Sequence, residues 1–103
     1  MTLMELSMTP LAKGESVGRY VARSLEIIEQ SGLDYRLHAM GTVVEGELEP
    51  LLDVLARCFE AMKADCDRIT CSVKFDYRRG RTGGLESKVA SVEAQLGRSL
   101  KKA

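Results

Sequence analysis

The sequence predicts an α+β fold, and three features of its 103 residues carry that prediction. Residues 2–9 and 67–78 alternate apolar and polar side chains, with the period of two that is typical of a half-buried strand. Residues 15–30 repeat apolar side chains at spacings of three and four, which is the period of an amphipathic helix. Segments containing glycine or proline separate these stretches, as expected for connections between elements.

The first strand and the first helix are predicted from their apolar positions. Along residues 2–9, the apolar face consists of Met4, Leu6 and Met8. Pro10 and the region of Gly14 then interrupt the alternation. The helix is expected to begin at Glu15–Ser16, with Ser16 as its N-cap, and to end before Gly32 in the left-handed cap position. Its apolar stripe consists of Val17, Val21, Leu25 and Ile28.

A hairpin and a second helix come next. Residues 34–39 alternate, Gly41–Thr42 has the composition of a tight turn, and residues 43–47 return as the second strand. Glu49–Pro50 is expected to open the helix, because proline is tolerated in the first helical turn. The apolar stripe of this helix consists of Leu51, Leu52, Leu55, Phe59 and Met62.

The last strand and a third helix complete the pattern. In residues 67–78, the apolar face consists of Ile69, Cys71, Val73, Phe75 and Tyr77. After the loop RGRTGG, residues 85–100 form a helix whose apolar side consists of Leu85, Val89, Val92 and Leu96. This order of elements predicts a ferredoxin-like split βαβ sandwich, with a four-stranded antiparallel sheet, two packing helices and a C-terminal helix. No linker or repeat divides residues 1–103, so we predict one domain.

Composition narrows the class of protein. Fifteen basic and fifteen acidic residues cancel, which gives no electrostatic footprint for nucleic acid or an anionic membrane. No apolar run approaches the roughly 20 residues needed to cross a bilayer, and the N-terminal MTLMELSMTPL lacks the basic region of a signal peptide. We therefore expect a cytoplasmic protein. Cys58, Cys66 and Cys71 lack metal-type spacing, and we expect them to be reduced and mostly buried rather than redox-active or metal-bound.

Residues that could carry chemistry are sparse. The chain contains no P-loop, no G-x-S-x-G and no H-E-x-x-H. The single histidine, His38, precedes the hairpin turn and either makes a structural hydrogen bond or contacts a ligand. Residues 10–17 either cap the first helix or offer donors to a polar ligand. The second sheet face either faces water or packs against another copy, and it carries Glu5, Ser7, Thr70, Ser72, Lys74 and Asp76.

Four segments occur in this order along the chain: TPLAKGESVGRYVA, SGLDYRLHAMGTVVEGE, DRITCSVKFDYRRG and LESKVASVE. Together they resemble the small thiamine-binding protein family, the YkoF-like group, from about residue 3 to residue 97. The most specific part is M-G-T-x-x-E-G at residues 40–46. Two positions depart from the family pattern, since Ala39 stands where relatives usually have proline and Ala12 where they often have glycine.

The resemblance implies a homo-oligomer, in which ferredoxin-like sheets pair back to back in a dimer and two dimers often form a homotetramer. It also implies a non-catalytic protein without a cofactor or metal, which binds thiamine or its hydroxymethylpyrimidine part. We expect the ligand pocket among the positions that match the family pattern, which are Ser7, Gly14, Ser16, Met40, Gly41, Thr42 and Glu45.

Glu45 has two interpretations. Its carboxylate could accept a hydrogen bond from an aminopyrimidine or face a thiazolium, or it could be the solvated polar residue of an edge strand. Two other functions also remain open for the chain. One is a small α+β enzyme acting on such a metabolite, with Glu45 or His38 as the acid–base group. The other is a structural module whose polar sheet face serves only for assembly.

Overall fold

A computed structural model of the protein describes residues 1–14 and 17–102. Its elements are β1 (Thr2–Pro10), α1 (Gly18–Gln30), β2 (Asp34–His38), β3 (Gly41–Gly46), α2 (Leu48–Lys63), β4 (Ile69–Tyr77) and α3 (Gly84–Leu96). The strands form one antiparallel sheet in the order β2-β3-β1-β4. This is the predicted α+β, ferredoxin-like arrangement, with β1 and β3 in the centre and β2 and β4 at the edges.

The core lies between one face of the sheet and the helices α1 and α2. The predicted inner face of β1 is confirmed, because Met4, Leu6 and Met8 are all buried. The largest fully buried side chains around them are Ile28, Val44, Leu51, Val54, Cys58 and Met62. Burying each large apolar side chain contributes about 1.5–3 kcal/mol, so this layer supplies most of the driving force that holds the helices on the sheet.

The predicted apolar stripe of α2 is partly wrong. Leu51 and Met62 are buried, but Leu52 and Phe59 are 43% and 38% exposed. The residues that α2 buries are Leu51, Val54, Cys58 and Met62. Adjacent residues of a helix point about 100° apart, so Leu51 and Leu52 cannot both face the sheet. The side of α2 that carries Val54 and Cys58 therefore faces the sheet.

The predicted face of β4 is correct, but its burial is incomplete. Residues directly opposite in an antiparallel pair share a face, and Phe75 and Val73 stand opposite Met4 and Leu6. They are nevertheless exposed, and Tyr77 is 66% exposed. The reason is the position of β4 at the sheet edge, since α1 and α2 pack over β1 instead.

Two element boundaries near the predicted site residues differ from the prediction. The hairpin turn lies at Ala39–Met40, whereas Gly41 and Thr42, predicted as the turn, already belong to β3. A Cβ on Gly41 would lie 2.8 Å from the carbonyl oxygen of Leu6, so this glycine permits close strand packing rather than a turn. The first helix begins at Gly18, and the predicted N-cap Ser16 lies outside the described residues.

The helix α3 is shorter than predicted and lies on the opposite face of the sheet from α1 and α2. It begins at Gly84, where its first amide meets a side chain of β3, and it ends at Leu96. Val92 and Leu96, which were predicted on its apolar side, are half exposed. This helix is therefore attached to the sheet mainly through its N-terminal turn.

The three cysteines are free thiols. Cys58 and Cys66 are buried and Cys71 is half-buried. Burial raises the pKa of the Cys58 and Cys71 thiols, so both stay protonated at neutral pH. They behave as small apolar residues of the core, in agreement with the sequence prediction.

Candidate ligand-binding site

A cavity of about 310 Å³ lies where the second half of β1, one side of α1 and the β2–β3 turn meet. Its volume is at the lower end of the range for small-molecule pockets. Residues from three parts of the fold line it: Leu6, Ser7, Met8 and Thr9; Val17, Val21, Ser24, Leu25 and Ile28; and Leu37, His38, Ala39, Met40, Gly41 and Thr42. The wall is therefore mostly apolar, with hydroxyl groups at separate points.

Four of the seven residues predicted to bind a ligand meet in this cavity, namely Ser7, Met40, Gly41 and Thr42. The pairing of β1 with β3 explains why, since Leu6 stands opposite Thr42 in the sheet. The side chain of Met40 is 81% exposed at the rim. Thr42 stands opposite Leu6 and shares its face, and no described residue forms a hydrogen bond with its hydroxyl, which can therefore serve a ligand. Ser7 alternates with Leu6 along β1, so its hydroxyl points to the other face of the sheet.

His38 lies on the rim in a hydrogen-bonded position. Its Nδ1 accepts a hydrogen bond from the backbone N–H of Met40 at 3.2 Å. Its Nε2 lies 3.6 Å from a carboxylate oxygen of Glu5 on β1, which is separated from β2 by β3. The structural interpretation of His38 is thus confirmed in part, because the ring holds the turn that forms the mouth of the cavity.

The loop before α1 contributes less to the cavity than predicted. Gly14 is exposed, has a left-handed φ of 85°, and is not among the lining residues. Ser16 lies outside the described residues, and its contact with a ligand stays a prediction. Val17, the next residue described, does line the cavity.

Glu45 lies apart from the cavity and is not on an edge strand. The edge-strand interpretation is wrong, because β3 is flanked by both β1 and β2 and Glu45 is only 6% exposed. Its Oε2 accepts a hydrogen bond from the backbone N–H of Gly84 at 2.6 Å. A carboxylate at the N-terminus of α3 also interacts favourably with the helix dipole. In this structure Glu45 therefore holds α3 on the sheet, and its contact with a ligand stays a prediction.

The sequence prediction missed the wall that α1 supplies. Ser24 is a buried polar residue between Val21, Leu25 and Ile28 on the apolar side of the helix. Its carbonyl oxygen lies 3.7 Å from the Sγ of Cys58, and the residue lines the cavity. A single serine within an apolar stripe was the signal that could have indicated a pocket beside this helix.

The arrangement suits recognition of a small, flat and partly polar molecule. Apolar side chains offer contact area, and isolated hydroxyls fix orientation. No cluster of three metal-ligating side chains occurs in the part of the chain that the structure describes. None of the helices described is both long enough and apolar enough to span a bilayer.

Comparison with known proteins places this geometry in a family. Residues 4–93 match the family model described as thiamine-binding protein. The chain belongs to the thiamine-binding protein family. The matched segment includes every described residue that lines the cavity.

Similar proteins cover most of the chain. A UPF0045 protein of Synechocystis is 37% identical over 95 residues, which span 91% of this chain and 78% of that protein. The UPF0045 protein MJ1052 of Methanocaldococcus jannaschii is 34% identical over 88 residues, or 85% and 88% of the two chains. The crystal structure of MJ1052 superposes with a TM-score of 0.83 at 33% identity, covering 88% of this chain and 94% of that one.

Proposed function

We propose that the protein binds thiamine or its hydroxymethylpyrimidine part in the cavity beside β1, without catalysing a reaction. The observation that carries this proposal is the meeting of Ser7, Met40, Gly41 and Thr42 in one cavity of a thiamine-binding family member. These residues come from β1 and from the β2–β3 hairpin, which are distant in sequence, so their convergence does not follow from local sequence alone.

The chemistry of the cavity favours the pyrimidine end of the vitamin. An aminopyrimidine presents an exocyclic amine and ring nitrogens, which the hydroxyl of Thr42 can meet as an acceptor or as a donor. The apolar wall and the exposed Met40 thioether can pack on the faces of the ring. No carboxylate lines the cavity among the described residues. The permanently positive thiazolium is therefore expected at the mouth, near solvent.

A hydroxyl-deleting variant tests the site. Thr42→Val keeps the shape of a buried β-branched residue and removes one hydroxyl. Loss of one hydrogen bond of about 0.5–1.5 kcal/mol should weaken thiamine binding roughly two- to tenfold in a calorimetric titration. Thr70→Val is the matched control, because Thr70 lies on β4 outside the cavity. Equal affinities of the two variants for thiamine would remove the cavity from the proposal.

Catalysis is the alternative for the same cavity. The observation that favours it is the contact between Glu5 and His38, which lines the cavity, with 3.6 Å between Nε2 and the carboxylate. Prolonged incubation with thiamine, followed by mass spectrometry, separates the two functions. Recovery of unchanged thiamine supports binding alone, whereas a product that disappears in His38→Gln supports an enzyme.

We also propose that the protein acts as a cytoplasmic homo-oligomer, either a dimer or a dimer of dimers. The support is the second sheet face, where Ser7 stands opposite Ser72 and Thr9 opposite Thr70. The attachment of α3 covers the other end of this face, around Glu45, and leaves the hydroxyl-bearing end open. Short polar side chains there can pair across a two-fold axis. A monomer mass in light scattering at micromolar concentration would contradict this assembly.

A further inference from the structure

A second cleft lies far from the cavity, between the end of β4, residues 78–83 and the first turns of α3. Its volume is about 670 Å³. Asp76 of β4 lines the cleft and stands opposite Leu3, near the start of β1. The cavity is instead lined by Leu6 to Thr9, in the second half of β1. The two features therefore lie toward opposite ends of β1, and the thiamine proposal does not use this cleft.

Positive charge dominates the cleft. Arg78, Arg81 and Lys88 line it, and Asp76 is the one carboxylate among its described lining residues. Asp76 is the counter-ion of two cations, because its side chain contacts Lys88 Nζ and lies 3.4 Å from Arg81 Nη1. Arg78 forms no ion pair with another described residue. The lining thus carries two more positive than negative charges.

Arg81 forms the fixed base of the cleft. Its side chain is only 10% exposed, and its Nη2 donates a hydrogen bond to the carbonyl oxygen of Asp76 at 2.7 Å. Its Nε is buried without a partner beneath the backbone of Gly84. The backbone nitrogen of Met1 donates a hydrogen bond to the carbonyl oxygen of Arg81 at 2.7 Å. A buried cation that shares its counter-ion is poorly compensated.

The neighbouring carboxylates are already engaged. Glu45 accepts the hydrogen bond from the first amide of α3, and Glu86 pairs with Arg36 at 3.2 Å. Neutral donors remain available on the other side of the cleft, where Ser87 and Ser91 stand one helical turn apart. Neither hydroxyl makes a hydrogen bond to a described residue.

We propose that this cleft binds a phosphate group, either as the free anion or as part of a phosphomonoester. A guanidinium presents several N–H donors in a planar fork that matches phosphate oxygens, and an ammonium adds a point charge. The excess of two positive charges matches the dianion of phosphate. The openness of the cleft leaves room for an organic group beyond the phosphate.

Titration of the full-length chain at constant ionic strength tests the proposal, first with inorganic phosphate and then with glycerol 3-phosphate. Arg78→Ala should weaken binding about tenfold, the effect of losing one charge-assisted contact. Arg79→Ala is the matched control, since it removes the same charge from the same loop outside the cleft. If Arg78→Ala fails to fold, Ser91→Asp places a negative charge in the cleft at an exposed helix position.

The titrations distinguish a site for free phosphate, a site for a phosphate ester and nonspecific attraction. Tighter binding of inorganic phosphate indicates a free-anion site, and tighter binding of the ester indicates a phosphorylated metabolite. Both support the proposal if Arg79→Ala leaves the affinity unchanged. Equal losses in Arg78→Ala and Arg79→Ala would show nonspecific attraction and overturn it. Absence of saturable binding up to about 10 mM phosphate would also overturn it, because such an affinity is too weak for a formed site.

Discussion

Replacing Glu45 by alanine tests whether one side chain holds α3 on the sheet. In the folded protein, the buried carboxylate accepts a hydrogen bond of 2.6 Å from the backbone N–H of Gly84. Alanine removes the acceptor and leaves the Gly84 amide buried without that partner. It also removes the negative charge from the positive end of the helix dipole.

The expected loss of stability follows from these contacts. A hydrogen bond to a charged group contributes about 1.5–3 kcal/mol net, and the dipole contributes about 0.3–1 kcal/mol of the same interaction. We therefore expect Glu45→Ala to lower the free energy of unfolding by about 2 kcal/mol. For a domain of this size, that change corresponds to a fall of roughly 8–16 °C in melting temperature. Glu45→Gln, which keeps an acceptor, should cost about half as much.

Urea denaturation followed by circular dichroism measures the change, and hydrogen exchange at the Gly84 amide locates it. Glu5→Ala is the control, because Glu5 lies on the same sheet face but is exposed. It should change stability by less than about 0.5 kcal/mol. Equal small effects of Glu45→Ala and Glu5→Ala, with unchanged exchange at Gly84, would refute the capping role.

A titration of Glu45→Gln with thiamine tests the ligand contact predicted from sequence. That contact requires about tenfold weaker binding by a variant that still folds and assembles. Unchanged affinity combined with lowered stability would leave Glu45 with the capping role alone. Weaker binding together with a disrupted oligomer would instead indicate that the cap supports the assembly.

Three other substitutions follow from the structure. Ala12 has a left-handed φ of 63°, so Ala12→Gly should raise the melting temperature by relieving about 1 kcal/mol of backbone strain. Gly41→Ala should cost about 1–3 kcal/mol in urea denaturation, because its Cβ would lie 2.8 Å from the Leu6 carbonyl oxygen; a neutral result would mean that the strands separate easily. Pairing with Arg23 lowers the pKa of Asp65 from 3.8 to about 2, so the pair stabilises the fold above pH 3.8 and this contribution disappears as the pH falls through 2. Asp65→Asn should therefore show a flatter pH dependence of the urea midpoint in that window, and identical slopes would contradict the pairing.

The local periodicity of the sequence was sufficient to predict the fold, but not to predict which apolar residues are buried. Alternation along β1 predicted its inner face correctly, because each side of a strand meets a single environment. The same alternation in β4 identified the face but not its exposure. Whether Phe75 is covered depends on which strand lies at the sheet edge, and no short segment records that order in space.

Part of the candidate site could likewise be predicted from the sequence, and part could not. Ser7, Met40, Gly41 and Thr42 were found through a resemblance that spans the chain, and the structure brings them together. Glu45 belongs to the same motif, but its partner is a backbone amide 39 positions later in the chain. A pattern of seven residues carries no information about such a contact. The wall from α1 was missed because its stripe fits an ordinary core equally well.

The position of β1 in the sheet has a consequence for how the protein folds. Every described residue of the cavity lies between positions 6 and 42, whereas β1 must also pair with β4, with Thr2 opposite Tyr77. Contacts between distant parts of a chain form slowly, because closing a long loop costs entropy. The segment that lines the cavity is therefore synthesised well before the strand that completes the sheet. We expect the closing of β4 on β1 to set the folding rate, with the walls of the cavity already close together when that step occurs.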